Sequence, residues 1–215
     1  MTAGHRETMS RYYAWHAPVY DATRWTFLFG RNAILEDLAL RPGETVVEIG
    51  CGTGHNFQRV LDSIGERGEL IGVDCSEPMI ARCRRRIRKR AWRNVRLMDQ
   101  QYGRAPVTGG SADAVLMSYA LSMIPGWKSA LECAAYELKP GGRIGVVDFC
   151  MNERTVRTAQ FARWLEINHV QVDRPYREEL AARFHPVRCV TTPAFGGLWS
   201  YYRFVGSRGL GSAQK

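Results

Sequence analysis

The chain contains 215 residues, of which 45% are hydrophobic and 24% charged, and its formal net charge is +9. This length suffices for one well-buried domain and is short for two, and the composition is ordinary for a soluble globular protein. The positive charge favours an anionic partner, either nucleic acid or the anionic face of a membrane. Charge alone does not choose between them.

We expect neither a targeting segment nor a membrane span. The stretch 1–10 is polar and mixed in charge, unlike a signal peptide, and no apolar run approaches membrane-spanning length. The six cysteines show neither C-x-x-C pairing nor a His/Cys cluster of metal-site spacing. We therefore expect a cytoplasmic protein with reduced thiols and no bound metal.

Strand and helix patterns alternate along one domain, 1–215. Residues 1–41 form an aromatic-rich N-terminal cap, 42–150 a cofactor-binding half, and 151–215 a helical excursion followed by a hairpin of Arg188–Thr191 with Ser200–Val205. Short apolar runs bounded by Gly, Pro or Asp predict five earlier strands: Thr45–Ile49, Leu70–Val73, Val95–Met98, Ala114–Ser118 and Ile144–Asp148. The pattern predicts an α/β fold with a mostly parallel seven-stranded sheet, helices on both faces, and ligands at the carboxyl ends of the strands.

A glycine-rich loop follows the first predicted strand, in the run from Val46 to Gly54. Gly50, Gly52 and Gly54 permit a tight turn and close backbone approach to a ligand, as in dinucleotide-binding folds. The third glycine comes one position early for the G-x-G-x-x-G fingerprint, and Glu48 would repel a pyrophosphate. S-adenosylmethionine carries a sulfonium and an ammonium but no phosphate, so it fits this loop better than a nicotinamide dinucleotide does.

A second cofactor signal ends the next strand at Asp74, a carboxylate positioned to take both ribose hydroxyls. Ser76 then opens a helix as its N-cap, and Met79 is placed to lie on the adenine face. In this order and context, Glu48, the glycines and Asp74 resemble class I methyltransferases, whose fold is Rossmann-like. The alternative is a degenerate Rossmann-like domain that binds nothing.

A basic segment occupies the helix that Ser76 opens. Its eight cations are Arg82, Arg84, Arg85, Arg86, Arg88, Lys89, Arg90 and Arg93, while Ile80, Cys83, Ile87 and Ala91 form the inward stripe. The segment is either a solvated outer face or a docking patch for an anionic membrane. RNA is a weaker alternative, because the chain shows no usual RNA-binding module.

The N-terminal aromatic run His16 through Arg31 narrows the resemblance. Together with the Ser118–Pro125 and Gly145–Phe149 segments, it is similar to the N-methyltransferase of betaine-lipid synthesis, which trimethylates the amine of diacylglyceryl-homoserine using S-adenosylmethionine. Bacterial phospholipid N-methyltransferases, which act on phosphatidylethanolamine, share a related Tyr-Asp start. The resemblance implies a lipid substrate with an amine head group and peripheral association with a membrane. In this sequence Met98-Asp99-Gln100 replaces the commoner Gly-Asp-Ala after the third strand.

The candidate site residues follow from these motifs. The candidate cofactor-binding residues are Glu48, Gly50, Cys51, Gly52, Gly54, Asp74, Cys75, Met79, Asp99, Gln100 and Ser118. Tyr20 and Tyr119 are the candidates to orient the amine, Tyr13, His16 and His169 are weaker ones, and Arg24 or Arg31 could bind the substrate carboxylate or a phosphate. A dedicated base is optional, because an α-amine with a pKa of about 8 has a useful neutral fraction.

Three hypotheses remain open from the sequence. The first is a membrane-associated N-methyltransferase that makes a quaternary ammonium lipid head group. The second is a methyltransferase acting on a quinone or small metabolite, with the aromatic segment as a lid. The third is a basic RNA-binding module without catalysis.

Overall fold

The computed structural model describes residues 28–150, 165, 170–197 and 199–210. In this part of the chain, seven strands form a single sheet in the order β3-β2-β1-β4-β5-β7-β6. Their bounds are Thr45–Ile49 (β1), Glu69–Asp74 (β2), Val95–Asp99 (β3), Ala112–Ser118 (β4), Leu138–Cys150 (β5), His185–Ala194 (β6) and Trp199–Ser207 (β7). The first five strands pair in parallel, and β7 runs antiparallel to both β5 and β6. The mostly parallel seven-stranded sheet is therefore confirmed.

Helices cover both faces of the sheet, as the sequence predicts. Their bounds are Arg31–Leu38 (α1), Phe57–Ile64 (α2), Glu77–Arg90 (α3), Trp127–Glu137 (α4) and Tyr176–Arg183 (α5), with short 3₁₀ turns at Leu121–Met123 and Phe195–Gly197. Ile34, Phe57 and Ile80 bring α1, α2 and α3 into one hydrophobic cluster, whereas Leu131 and Leu180 bring α4 and α5 into the other. The sheet is thus buried on both sides, which explains the nearly continuous apolar runs of β1, β2 and β4.

The predicted strands differ from the observed ones mainly in the second half of the chain. β1 has the predicted bounds, whereas β5 begins six residues earlier than expected, at Leu138. Leu138 is fully buried and pairs with Ala112, and the pairing register shifts between Ala112 and Ala114. Pro140, Gly141 and Gly142 therefore lie inside β5, shortly after the end of α4, and the sheet accommodates them as an irregularity in the ladder. The hairpin strands β6 and β7 also extend beyond their predicted ends.

The predicted helices are seen where the chain is described. The N-terminal cap falls largely on residues 1–27, outside the described residues, and α1 is the part of it that the structure includes. Of the helical excursion, α5 is described. All six cysteines are free thiols. Within the described ranges, no group of three or more metal-ligating side chains could hold a metal ion.

None of the helices in the described part of the chain combines the length and the apolar character needed to cross a bilayer.

Candidate active site

The glycine-rich loop between β1 and α2 is shaped for close approach of a ligand. Gly50 and Gly54 have φ angles of 68° and 73°, in the left-handed region that disfavours side chains. A Cβ on Gly50 would lie 2.5 Å from the Cβ of Ala120, and one on Gly54 would lie 2.8 Å from the Sγ of Cys83. The loop therefore requires glycine at both positions, because the backbone is left-handed there and because a side chain would collide with neighbouring atoms.

Asp74 organises this loop from the end of β2. The backbone N–H of Gly52 donates to its Oδ2 at 2.8 Å, and the N–H of Ser76 donates to its Oδ1 at 2.9 Å. Ser76 does occupy the N-cap position of α3, but its hydroxyl is buried and makes no capping bond. The carboxylate of Asp74, rather than the predicted Ser76 cap, thus holds the glycine loop and the start of α3 together.

A cleft that is open to solvent lies at the carboxyl ends of β1, β2 and β4. Its walls include seven of the predicted site residues: Gly50, Gly52, Asp74, Cys75, Met79, Gln100 and Tyr119. They also include nine that the sequence reasoning did not select, namely Ile49, Val73, Ser76, Gln101, Tyr102, Ala120, Met123, Ile124 and Pro125. The carboxyl ends of parallel strands lie at the same edge of the sheet, so motifs that are far apart in sequence come together here.

Five predicted cofactor residues are not among those walls: Glu48, Cys51, Gly54, Asp99 and Ser118. Asp99 is the last residue of β3, whereas the residue after it, Gln100, lines the cleft. Cys51 is buried beneath the loop, where a hydrogen bond with Cys83 and burial hold the pKa of its thiol well above the usual value. Asp99 and Gln100 are both candidate cofactor-binding residues, and the structure places Gln100 rather than Asp99 among the wall residues.

Glu48 lies beneath the loop in a buried polar chain. The Nδ2 of Asn56 donates to its Oε1 at 2.7 Å, and Arg31 donates from Nε and Nη2 to the Oδ1 of Asn56 at 3.1 and 2.9 Å. Arg31, a candidate for binding the substrate carboxylate, here contacts Asn56. Within the described part of the chain, the fully buried Oε2 of Glu48 has no hydrogen-bond partner. Burial raises the pKa of Glu48 to about 7.

Tyr119 lies at the tip of β4 in a strained conformation, with a φ of 54°. Its hydroxyl donates to the carbonyl oxygen of Phe29 at 2.7 Å, and its ring meets that of Phe149 edge-on at 4.7 Å. Burial holds the pKa of the Tyr119 hydroxyl well above its ordinary value. Because its proton is committed to Phe29, the oxygen of Tyr119 can act toward a ligand as an acceptor.

The loop after β3 forms another wall of the cleft and is fixed by Glu137 at the end of α4. The carboxylate of this fully buried residue accepts the backbone N–H groups of Val107 and Thr108 and the hydroxyl of Tyr102. Tyr102 lines the cleft. Glu137 therefore positions a wall of the cleft from the opposite end of the loop, a role that the sequence does not indicate.

Asp148 fixes the turn that follows Tyr119. It accepts hydrogen bonds from the N–H and Oγ of Ser122, at 2.9 and 2.6 Å, and from the N–H of Phe149, at 2.8 Å. Burial raises the pKa of Asp148 to about 6, although these hydrogen bonds favour the charged form. The 3₁₀ turn Leu121–Met123, which precedes the cleft residues Ile124 and Pro125, is thereby tied to β5.

Five candidates, Tyr13, His16, Tyr20, Arg24 and His169, lie outside the described residues.

The described residues fit S-adenosylmethionine. Gly50 and Gly52 bring the backbone of the glycine loop to the cleft wall, and Asp74 stands at the cleft as the acid expected to take the ribose hydroxyls. The buried Oε2 of Glu48 provides uncompensated acceptor capacity under the loop, where a cationic cofactor is favoured. When bound, this cofactor supplies an electrophilic methyl group on its sulfonium.

Fold and site together define a domain of the class I methyltransferase type. Residues 46–142 match the family model described as a methyltransferase domain. This part of the chain is therefore a methyltransferase domain that uses S-adenosylmethionine, as the sequence predicts. The match covers the sheet from β1 to the start of β5 and includes Asp74 and Tyr119.

Known proteins of several activities are similar to the chain. It is 30% identical over 123 residues to the arsenite methyltransferase of Halobacterium salinarum, covering 57% of this chain and 30% of that protein. It is 25% identical over 176 residues to the 2-phytyl-1,4-naphtoquinone methyltransferase of Synechocystis, covering 79% of this chain and 74% of that protein. The chain thus spans less than a third of the length of the arsenite enzyme.

Solved structures share the fold. The phospholethanolamine N-methyltransferase 2 of Haemonchus contortus, in complex with phosphomonomethylethanolamine and S-adenosylhomocysteine, aligns with a TM-score of 0.78 at 14% identity, covering 97% of this chain and 61% of that chain. At this identity the likeness establishes the fold, and it does not carry over the acceptor.

Proposed function

We propose that the chain transfers methyl groups from S-adenosylmethionine to the amine of a lipid head group, with diacylglyceryl-homoserine preferred to phosphatidylethanolamine. The observation that carries this proposal is the chemistry of the cleft wall, which suits an acceptor that needs no base. The preference between the two lipids rests on the family-like segments Ser118–Pro125 and His16 through Arg31.

The titratable side chains on the described wall are Asp74, Cys75, Tyr102 and Tyr119. Asp74 is occupied by two backbone N–H groups. Burial holds the pKa of Tyr102 and of Tyr119 well above the ordinary value. Both hydroxyls therefore stay protonated at neutral pH, and neither side chain can act as a phenolate base. The described wall therefore favours a nucleophile that arrives with its own lone pair.

A head-group amine meets that requirement. An α-amine has a pKa of about 8, so part of it is neutral at physiological pH. Its nitrogen would form the new N–C bond as the S–CH3 bond of the sulfonium breaks, which leaves S-adenosylhomocysteine and an N-methyl ammonium whose proton passes to solvent. Orientation then supplies much of the rate, because correctly aligned reactants remove about 7–11 kcal/mol from a barrier. The oxygen of Tyr119, whose proton is committed to Phe29, is suited to accept an N–H of the amine. Its ring and that of Phe149 also suit a product of growing cationic character.

Two comparisons bear on the choice of acceptor. The Haemonchus contortus structure, an N-methyltransferase in complex with phosphomonomethylethanolamine, is a protein of this fold with an amine ligand, and at 14% identity it carries no acceptor over to this chain. The Synechocystis relative is named for a naphtoquinone, which makes a quinone the second candidate. Methylation of a ring carbon expels a proton and requires a base, and the described wall offers none suited to it. We therefore rank the amine first.

The test is methyl transfer by the purified chain with isotopically labelled S-adenosylmethionine. Diacylglyceryl-homoserine, phosphatidylethanolamine and a reduced naphthoquinone are offered separately, and products are identified by mass spectrometry. We expect stepwise mass increases on the amine lipids, largest on diacylglyceryl-homoserine. Label on the quinol alone would reject the lipid assignment and leave the methyltransferase domain standing.

A Tyr119→Phe variant is the matched control for the role of the hydroxyl. If the oxygen of Tyr119 orients the amine, this variant should retain cofactor affinity and lose kcat on the amine lipid. An equal loss of cofactor affinity would assign Tyr119 to cofactor binding instead.

A further inference from the structure

The net charge of the protein is concentrated in one element. The basic segment, the eight cations from Arg82 to Arg93, accounts for eight of the nine units of net positive charge. Seven of the eight lie in α3, whose acidic residue is Glu77 in the first turn. The remainder of the chain is therefore close to neutral, and α3 carries a field that the rest of the surface does not.

The positive charge of α3 faces solvent. Ile80 and Cys83 are fully buried against the sheet, whereas Arg84, Arg85 and Arg88 are exposed. Within the described ranges, no carboxylate forms an ion pair with these three arginines, and the nearby pair Arg96 with Glu69 lies on the sheet edge. The expected inward stripe is also shorter than the sequence suggests. Ala91 is exposed as the left-handed C-cap, which widens the polar face.

Such a cluster is costly to maintain without an anionic partner. Like charges spaced three and four residues apart destabilise a helix, and Arg84 with Arg88 and Arg85 with Lys89 are both so spaced. The three cations of the last turn interact favourably with the negative end of the helix dipole. The cations in the middle of the helix lie too far from that end to be stabilised by it. An anionic surface would relieve this repulsion along the whole length of the helix.

The position of α3 connects this surface to the cleft. The helix begins at the cleft, where Met79 forms part of the wall. Arg85 is six residues farther along, which is about 9 Å at a rise of 1.5 Å per residue. A flat anionic surface lying along α3 would therefore meet the edge of the protein at which the cleft opens. A lipid head group would then reach the cleft while its acyl chains stay in the bilayer.

We infer that α3 is a docking surface for an anionic lipid bilayer, and that it delivers the lipid acceptor to the cleft. The surface is defined by the basic segment, and its occupant is a membrane leaflet rich in anionic head groups. The delivery step rests on the proposed function, whereas docking itself does not. Each basic residue near an anionic surface strengthens binding by a factor of about five. Three substitutions should therefore weaken adsorption about 100-fold.

The experiment is sedimentation of the full chain with vesicles of pure phosphatidylcholine or of equimolar phosphatidylcholine and phosphatidylglycerol. The test variant replaces Arg84, Arg85 and Arg88 by Gln. The matched control removes the same charge from exposed cations outside α3, through Arg41→Gln, Arg59→Gln and Arg67→Gln. We expect adsorption to the anionic vesicles alone, lost in the α3 variant, retained in the control, and weakened by salt.

Equal adsorption to both vesicle types, or equal losses in the two variants, would overturn the inference. A fluorescent RNA oligonucleotide provides the competing arm. Tight RNA binding that depends on the α3 arginines, without vesicle binding, would assign the surface to nucleic acid. Sedimentation requires no turnover, so failure to dock is distinguishable from failure to methylate. Circular dichroism of both variants checks that the helix content of the chain is unchanged.

Discussion

The carboxylate of Asp74 holds the backbone N–H of Gly52 at 2.8 Å, which makes the acid at the end of β2 a structural partner of the loop after β1. The residue expected to contact the ribose thus also sets the position of the glycine loop. Loss of this side chain therefore affects the cofactor in two ways, directly and through the loop.

Asp74→Ala should weaken S-adenosylmethionine binding by more than the roughly 1.5–3 kcal/mol of one hydrogen bond to a charged group. The substitution removes both the carboxylate expected to contact the ribose and the acceptor for two backbone N–H groups. Calorimetric titration measures the affinity. Asp74→Asn is the control, because it keeps one acceptor oxygen and should lose less. Equal losses in the two variants would exclude a role in positioning the loop.

Gly50→Ala should abolish cofactor binding and lower stability, because the new Cβ would lie 2.5 Å from that of Ala120. Gly43→Ala provides the comparison, since Gly43 also has a positive φ, of 86°, but its Cβ would meet no atom within 4 Å. Backbone strain alone costs roughly 1–3 kcal/mol. Urea unfolding measures the free energy of unfolding of both variants, and the additional loss in Gly50→Ala over Gly43→Ala is the contribution of the collision. Identical losses of stability in the two variants would contradict this prediction.

Glu48 should make the protein less stable as the pH rises through the range from 4.5 to about 7. Burial raises the folded-state pKa, so the folded protein binds the proton more tightly than the unfolded chain does. Stability is therefore fully present below pH 4.5 and is lost as the pH rises to about 7. The loss is on the order of 3 kcal/mol at 1.36 kcal/mol for each unit.

Glu48→Gln isolates this contribution, because the amide can still accept from the Nδ2 of Asn56. Urea midpoints across this pH range should fall less in the variant than in the unmodified chain. The pKa of Asp148 is also raised, so its protonation changes the stability of both proteins in the same direction. This contribution cancels in the difference between the two pH profiles. Parallel pH profiles would show that Glu48 does not titrate in this window.

Tyr119→Phe should destabilise the protein by about 1 kcal/mol, because the carbonyl of Phe29 loses its donor. The amides from Arg31 to Ile34 should then exchange hydrogen faster, since the residues before them are held to β4 by this bond. Hydrogen exchange measured by mass spectrometry tests this. Unchanged exchange there, combined with a lower kcat, would confine the hydroxyl to orienting the acceptor.

The central fold could be predicted because its strands are short, apolar and bounded by turn residues. Thr45–Ile49 has the predicted ends, since Glu44 and Gly50 flank a short run in which every residue except Glu48 is β-branched. The start of β5 could not be predicted, because Pro140 and the two glycines after it signal a turn, and only pairing of Leu138 with Ala112 extends the ladder past them. Long-range pairing overrides a local signal at that point.

The position of Asp74, Gly50 and Gly52 at the cleft was predictable, because an acid or a glycine directly after an apolar strand is a signal that each residue carries by itself. It was not predictable where two side chains distant in sequence meet, as for Arg31 with Asn56 or Asp148 with Ser122. Asp99 and Gln100 illustrate a third limit. Neighbouring residues at a strand end point in opposite directions, so a difference of one position in the strand boundary exchanges the residue that faces the ligand.

Glu137 lowers the entropy cost of ligand binding on one side of the cleft, because it orders that wall in the folded protein. Because its carboxylate ties Val107, Thr108 and Tyr102 to the end of α4, the loop after β3 is ordered before any ligand arrives. Immobilising a rotamer-rich side chain on binding costs about 0.5–1.5 kcal/mol. In this wall the ordering takes place during folding, so it does not reduce the affinity for a ligand. Folding stability and cofactor affinity are thus linked through one buried carboxylate on a helix outside the cleft.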